Sequence, residues 1–300
     1  MANMAQAIST TTKVKKFKKN KSFGRVIGRV FLYLFLIFAA AICLFPFYWM
    51  VSTSLMTLGE TINRKFIPEI PQWINFADAW EQAKFGKYFM NSVLITTGTL
   101  AGLLFTSILA GYAFGRIEFK GKNFIFALFL ATMMIPESVT IIPNLLMIRG
   151  DILPLPGGSW LNTYWALTVP FMANAFSIFL LKQFFAQIPK ELWDAARIDG
   201  CDHTRFLIQI VLPISKAPIM TVLLFGFTGA WNAFTWPLLV TTKDTWRPLM
   251  VGLWGFVSEA GPETHLLMAG AVITLLPILL VYFITQKQFT QGIATTGLKG

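Results

Sequence analysis

Residues able to do chemistry are sparse in this 300-residue chain. A phosphate-cradling loop needs the spacing GxxxxGK[ST], so that backbone N–H groups surround the anion and a hydroxyl meets magnesium. The nearest stretch, "GRIEFKGKN" at residues 115–123, has five residues between its glycines and Asn123 at the hydroxyl position. It reads as a tight turn. Neither GxSxG nor HExxH occurs, and no two carboxylates fall where they could share one acid–base pocket. What stands out instead is "ELWDAARIDGCDHTRFLIQIVLP", residues 191–213, which carries four acids and two arginines between strongly apolar segments. That stretch needs a reason to be polar.

The surrounding elements supply the frame. With 55% hydrophobic residues, 13% charged residues and a mean hydropathy of +0.60, the chain has too little polar surface to cover a soluble globule. Six windows are free of charge apart from Glu137: Val30–Val51, Ser92–Gly115, Asn123–Ile148, Trp160–Leu181, Ala217–Thr242 and Leu266–Gln286. Each reaches the roughly 20 residues that a helix needs to cross about 30 Å of hydrocarbon. The expectation is an all-α membrane protein with six transmembrane helices. With the N-terminus inside, the cytoplasmic segments hold 18 Lys and Arg and the outer loops seven. Both termini are therefore predicted cytoplasmic, and the net charge of +11 is topological, with Lys13–Lys21 free to touch anionic lipid and no nucleic acid implied.

The same topology puts Cys43 in a span and Cys201 on the inner side, so no disulfide is expected. His203 and His265 fall on opposite sides, which leaves no metal site. The first span lacks a small-x-small cleavage site and reads as a retained anchor. Residues 1–29 form a basic tail, 30–290 the membrane domain with the polar loop at 186–216, and 291–300 a short C-terminal tail. The outer loop 53–91, with Pro68, Pro71, Trp73 and Trp80, reads as a short structured cover at the interface. No internal repeat is visible.

Within the polar stretch, Pro189 offers a helix start, Glu191 and Asp194 suit its first turn, and Gly200 offers a stop. At 100° per residue, Leu192, Trp193, Ala196 and Gly200 share one arc while Glu191, Asp194, Asp199 and Asp202 crowd the other. The small residues at 196 and 200 would let a partner approach closely. The alternative is a segment that packs against its own bundle.

The spacing resembles the EAA loop of ABC importer permeases, in which EAA is followed by three residues, G, nine residues, I, one residue and LP. Asp194, Ala195, Ala196, Gly200, Ile210, Leu212 and Pro213 fall on those positions, with Asp194 in place of Glu. "GYAFGR" at 111–116, "MIPESVTIIP" at 134–143 and "WNAFTWPL" at 231–238 look like the carbohydrate-uptake branch, and resemble the smaller permease of maltose-type importers. The resemblance implies a MetI-like ABC importer permease fold. It implies a docking helix for a partner ATPase formed by Glu191, Leu192, Trp193, Asp194, Ala195, Ala196, Arg197, Asp199 and Gly200, with Leu212 and Pro213 closing the loop. It further implies a second permease, an ATPase dimer that binds ATP and magnesium, an extracytoplasmic solute-binding protein and a bacterial inner membrane; this chain itself would hold no cofactor and catalyse nothing. A secondary transporter or channel is the rival, and it would need intramembrane ion sites.

For the solute path, Glu137, Asn174, Trp231, Asn232 and Trp236 have suitable chemistry, since amides and aromatic faces match sugar hydroxyls and C–H surfaces. Each also has a structural reading. Glu137 lies between Pro136 and Pro143, expected to break the third span, and the others suit helix packing or an interfacial aromatic belt.

Overall fold

The computed structural model describes residues 23–152, 154–258 and 261–296. The Lys-rich run 13–21 and the terminal residues 297–300 lie outside them. The chain divides into two compact units, residues up to Trp49 and residues from Met50 onward. Helix α1, Phe23–Ser54, runs across that division.

Among the described residues, three helices are individually long and apolar enough to cross a membrane: Ile27–Ser54 within α1, α4 at Phe85–Arg116, and Thr264–Gln286 within α15, which itself runs Thr264–Thr296. The α15 helix thus carries on past residue 290, where the sequence suggests a tail. Three further pairs of helices pass the same test only together, each bent at a short break. Helix α5, Lys122–Thr132, meets α6, Glu137–Arg149, at 99°. Helix α7, Tyr164–Thr168, with the tight turn Val169–Phe171, meets α8, Ala175–Ala186, at 40°. Residues His203–Ile214 meet α12, Lys216–Trp231, at 81°.

Proline accounts for the sharpest of these breaks, because it lacks an N–H and disfavours helix in the residue before it. Pro136 precedes α6 with an extended ψ of 137°. Pro143, expected to break the span too, sits inside α6, so the helix absorbs it. The fifth apolar window, Ala217–Thr242, is likewise two pieces: α12 stops at Trp231 and α13, Thr235–Val240, restarts just ahead of Pro237. Hydropathy alone cannot register a kink, since a bent span stays apolar throughout.

Short elements cover one end of the bundle: α2 at Leu58–Ile62, α3 at Ile74–Gln82, α14 at Leu249–Trp254 and a two-residue ladder pairing Val257 with Pro262. Lys84 donates to Asp244 at 2.6 Å and ties the 241–248 loop to this end of α4. That hydrogen bond holds the Asp244 carboxyl below, and the Lys84 ammonium above, their ordinary ranges.

Helix α4 is the central post, packing most extensively on α8 and then on α12. Its Gly111 and Gly115 make the α8 contact possible. A Cβ at Gly111 would lie 3.0 Å from Leu181 Cβ and 3.2 Å from the Lys182 nitrogen, and one at Gly115 would lie 3.2 Å from Phe185 Cβ. Small residues one turn apart allow two helices to approach backbone to backbone where no hydrophobic force drives them together. We predict that Gly111→Leu lowers stability by about 1–3 kcal/mol, seen as a lower apparent Tm in lipid nanodiscs. An unchanged Tm would refute the close approach.

Candidate functional site

The polar stretch folds as expected in outline and differs in which way it faces. Helix α9 covers Lys190–Ile198, with Pro189 at its start and Glu191 in its first turn. It ends in a paired turn: Cys201 N–H donates to Ala196 O at 2.9 Å and Gly200 N–H to Arg197 O at 3.0 Å. This closure requires a left-handed residue, and Gly200 has φ of +75°. Nothing crowds Gly200 within 4 Å, so its value lies in the backbone it permits.

After the turn, Asp202 caps α10, His203–Phe206, by accepting from Arg205 N at 2.9 Å. A π-turn at Leu207–Val211 and the short α11, Leu212–Ile214, follow, with Pro213 in the first turn of α11. Pro213 cannot donate to the preceding turn, and the wider π-turn accommodates that defect.

Ala196 is 6% exposed and belongs to a buried cluster with Tyr112, Leu181, Phe185, Phe206 and Val211. The sequence places Ala196 on a face open to a partner; in the structure Ala196 is covered by the chain's own bundle, while Leu192 and Gly200 of the same arc stay exposed. Trp193 turns the same way. It stacks on His203 with ring centroids 4.2 Å apart and meets Phe206 edge-on at 5.0 Å. The outward side consists of Leu192, Ala195 and Ile198, flanked by Glu191, Asp194, Arg197 and Asp199. Ile198 is 88% exposed. No ion pair among the described residues engages any of those four charged side chains. Pro213 is exposed and Leu212 partly covered.

Two side chains absent from the sequence reading tie the segments on either side of α9 to α4. Tyr112 Oη lies 2.8 Å from His203 Nδ1. Arg116 donates to Ile188 O at 2.5 Å and to Pro189 O at 3.4 Å, and its guanidinium stands 5.7 Å over the Phe206 ring. Both residues lie in "GYAFGR", the stretch that also supplies Gly111 and Gly115.

The five residues considered for a solute path do not converge. Trp231 is buried and donates Nε1–H to Thr274 O at 3.0 Å. Its ring helps to line an open groove of about 530 Å³ among α4, α12 and α15, where the other walls are mostly apolar. Trp236 is buried elsewhere and donates to Ala166 O at 2.9 Å. Pro170 follows Ala166 by four residues and has no N–H, so Trp236 satisfies the carbonyl that the proline leaves orphaned. Both indole N–H groups are therefore committed to the fold. Asn174 caps α8 by accepting from Ser177 N at 3.1 Å, which accounts for its residue type. Glu137 and Asn232 are exposed at helix ends, the first opening α6 and the second closing α12. An acid in the first turn of α6 complements the helix dipole. No hydrogen bond among the described residues links Glu137, Asn174 and Asn232.

A bundle of broken spans around one long helix, with a short two-faced helix clamped to its end, defines a polytopic membrane permease. The chain belongs to the family of binding-protein-dependent transport system inner membrane components, whose pattern matches residues 102–295. It is 33% identical to the probable ABC transporter permease protein YurM of Bacillus subtilis, covering 90% of this chain and 87% of that protein. It is 31% identical to the sn-glycerol-3-phosphate transport system permease UgpE of Yersinia enterocolitica, over 88% and 95% of the two chains. The arabinooligosaccharides transport system permease AraQ of Bacillus subtilis is 28% identical over 91% of this chain and 97% of its own. The fold matches a chain of a bacterial ABC transporter that imports the acidic polysaccharide alginate, with a TM-score of 0.74 and 23% identity over 88% of this chain and 97% of that one. These relatives are transport permease subunits, and this chain is one too.

Two predictions follow from the local geometry. Gly200→Ala is expected to cost about 1–2 kcal/mol through left-handed strain, with Gly200→Asn milder; equal melting temperatures for all three forms would dispose of the turn. Trp236→Phe is expected to cost about 1–3 kcal/mol by stranding the Ala166 carbonyl. Solute affinity of the assembled transporter should stay unchanged in that variant, and a selective affinity loss would return Trp236 to the solute path.

Proposed function

We propose that this chain is the permease subunit of an ABC importer that moves a carbohydrate, or a related polyol or sugar phosphate, across the bacterial inner membrane. The observation that carries this reading is the two-faced helix α9: Trp193 and Ala196 turn into the bundle, while Leu192, Ala195 and Ile198 stand outside it amid charges that no ion pair among the described residues engages. An apolar stripe rimmed by charge is the composition of a docking surface. Its partner in this reading is an ATPase subunit, which holds the ATP and magnesium that this chain does not. The relatives' transported solutes, a glycerol phosphate and arabino-oligosaccharides, support the carbohydrate class.

Docking on α9 reaches the membrane by three routes. Residues 187–189 join it directly to α8, the Gly200 turn and α10–α11 join it to α12, and Tyr112 and Arg116 join it to α4. When ATP closes the ATPase dimer, α9 moves and these helices turn with it, presenting the cavity outward; hydrolysis reverses the motion. Swinging such an equilibrium from 1:99 to 99:1 takes about 5.5 kcal/mol of differential stabilisation, which nucleotide-dependent docking supplies. A second permease completes the path, a solute-binding protein delivers from outside, and both termini lie in the cytoplasm. Where solute passes, the exposed polar residues at span breaks, Glu137, Asn174 and Asn232, are better placed than Trp231 and Trp236.

The test is Ile198→Asp, which puts a charge on the most exposed residue of the outward stripe, 88% exposed. Loss of a docking hot spot of about 2 kcal/mol weakens ATPase binding about 30-fold. ATPase co-purification and ATP-dependent uptake should both fall while the permease stays inserted and folded. Full retention of the ATPase would remove α9 as its docking site.

A further inference from the structure

The loop between α1 and α4 is built into the molecule more firmly than a connector requires. Three side-chain contacts hold it against the last turn of α1 and the residues just after it: Ser52 Oγ–H donates to Phe66 O at 2.7 Å, and Asn75 Nδ2–H donates to Ser54 O at 2.9 Å and Met56 O at 2.8 Å. A backbone bond from Gln72 N–H to Leu55 O at 2.9 Å adds a fourth tie. Glu60 closes the loop on itself. It receives Glu69 N–H and Thr57 N–H, each at 2.8 Å, and those bonds hold its carboxyl below the usual carboxylate range.

Ser52 and Ser54 lie in the last turn of the span Ile27–Ser54, and α4 opens the next span at Phe85. The backbone at 66–75 is therefore fixed at the level where the chain leaves the hydrocarbon. Yet the side chains it presents are large and apolar. Ile62, Ile67, Ile70, Trp73 and Ile74 are all exposed, Ile70 at 71% and Trp73 at 70%.

Two requirements then act on one segment. Pro68 and Pro71 stand in non-helical backbone whose polar groups need water or headgroups, so the segment cannot enter hydrocarbon. The exposed isoleucines and Trp73 need an apolar environment, so water alone does not suit them. Only the interfacial layer of the bilayer meets both needs. Tryptophan is favoured there, and the neighbouring Arg64 can extend toward phosphate while the apolar side chains point into the acyl boundary; Lys65 is paired with Glu69.

We propose that residues 62–74 form an interfacial anchor, lying along the membrane surface beside the end of α1 with phospholipid as their partner. The anchor sets the height of α3 as well, because α3 follows directly and packs against α4 and α15. This inference stands apart from the docking role of α9, and neither depends on the other.

The test needs no substitution. The assembled transporter, in vesicles of phosphatidylethanolamine and phosphatidylglycerol, is irradiated with one of two photoactivatable phospholipids, carrying the diazirine either near the glycerol or at the acyl end. Trypsin releases Phe66–Lys84 as one peptide; the Arg247–Pro248 bond resists trypsin, so Asp244–Arg247, from another loop at the same end of α4, is compared within the peptide Asp244–Lys287 by placing its adducts with fragment ions. Lipid adducts on Phe66–Lys84 are expected to exceed those on Asp244–Arg247 several-fold with the shallow probe, and to fall with the deep one. Equal labelling of the two stretches would mean that the loop stands in water and would overturn the proposal. Labelling that appears only when the partner permease or the solute-binding protein is stripped away would overturn it as well, because the cover would then be protein.

Discussion

The backbone-close contact of α4 with α8 at Gly111 and Gly115 is the constraint on which the rest of this structure depends. In lipid, water does not drive apolar helices together, so association comes from packing and from the few hydrogen bonds that cross between helices. Removing side chains at two positions one turn apart brings the axes near enough for α4 to reach past α8. Tyr112 and Arg116, on the same last turns of α4, then touch His203 and the carbonyls of Ile188 and Pro189. With a larger residue at 111 the helices would separate, and those contacts, at 2.8 and 2.5 Å, would stretch beyond hydrogen-bonding range. The glycines thus determine how α9 is held, although neither lies in it.

Straight spans would need no such help, because a continuous helix satisfies its own backbone. This bundle breaks half of its spans, and side chains from neighbours repair the breaks. Thr106 on α4 donates to Met172 O at 2.5 Å where the α7–α8 span is interrupted, and Trp236 serves the carbonyl stranded by Pro170. Asn162, itself left-handed with φ of +60°, accepts from the backbone nitrogens of Thr242 and Lys243, both at 2.7 Å. On α4, Asn91 Nδ2–H donates to Thr245 O and Arg247 O, and Ser92 Oγ accepts from Leu249 N–H. Several polar residues in this membrane protein are thus occupied by backbone defects. A polar or indole side chain in a span is weak evidence of a solute contact until its hydrogen-bond partner is known.

That occupation marks the boundary of what the sequence could disclose. Gly200 was legible as a helix stop because left-handed closure has few substitutes, and the closure at Cys201 and Ala196 has the form such a glycine permits. The facing of α9 was not legible. A helical wheel offers two apolar arcs, one with Trp193 and Ala196 and one with Leu192, Ala195 and Ile198; only the position of Tyr112, Phe206 and the cluster behind them decides which is inward. Trp236 stayed open between solute path and packing for a related reason, since an indole that stacks on sugars and an indole that caps a carbonyl are chemically the same residue. Pro136 and Pro143 look alike in sequence, yet only the first interrupts a helix. The second finds its turn complete enough on either side to be absorbed.

The division of α9 into an inner and an outer face bears on how force would pass through it. Trp193 is held between His203 and Phe206, and His203 is held by Tyr112, so a push on Ile198 reaches α4 through aromatic rings in contact and one short hydrogen bond. Packed rings in a dense core resist compression, whereas a flexible linker of the same length would take up the motion as disorder. The Gly200 closure acts on the same principle at the other end. It fixes the angle between α9 and α10, so that rotation of one carries the other toward the 81° bend at Ser215. A helix so held on its inner face can leave its outer face unpartnered at little cost to the fold, and that free face is what a separate subunit would need.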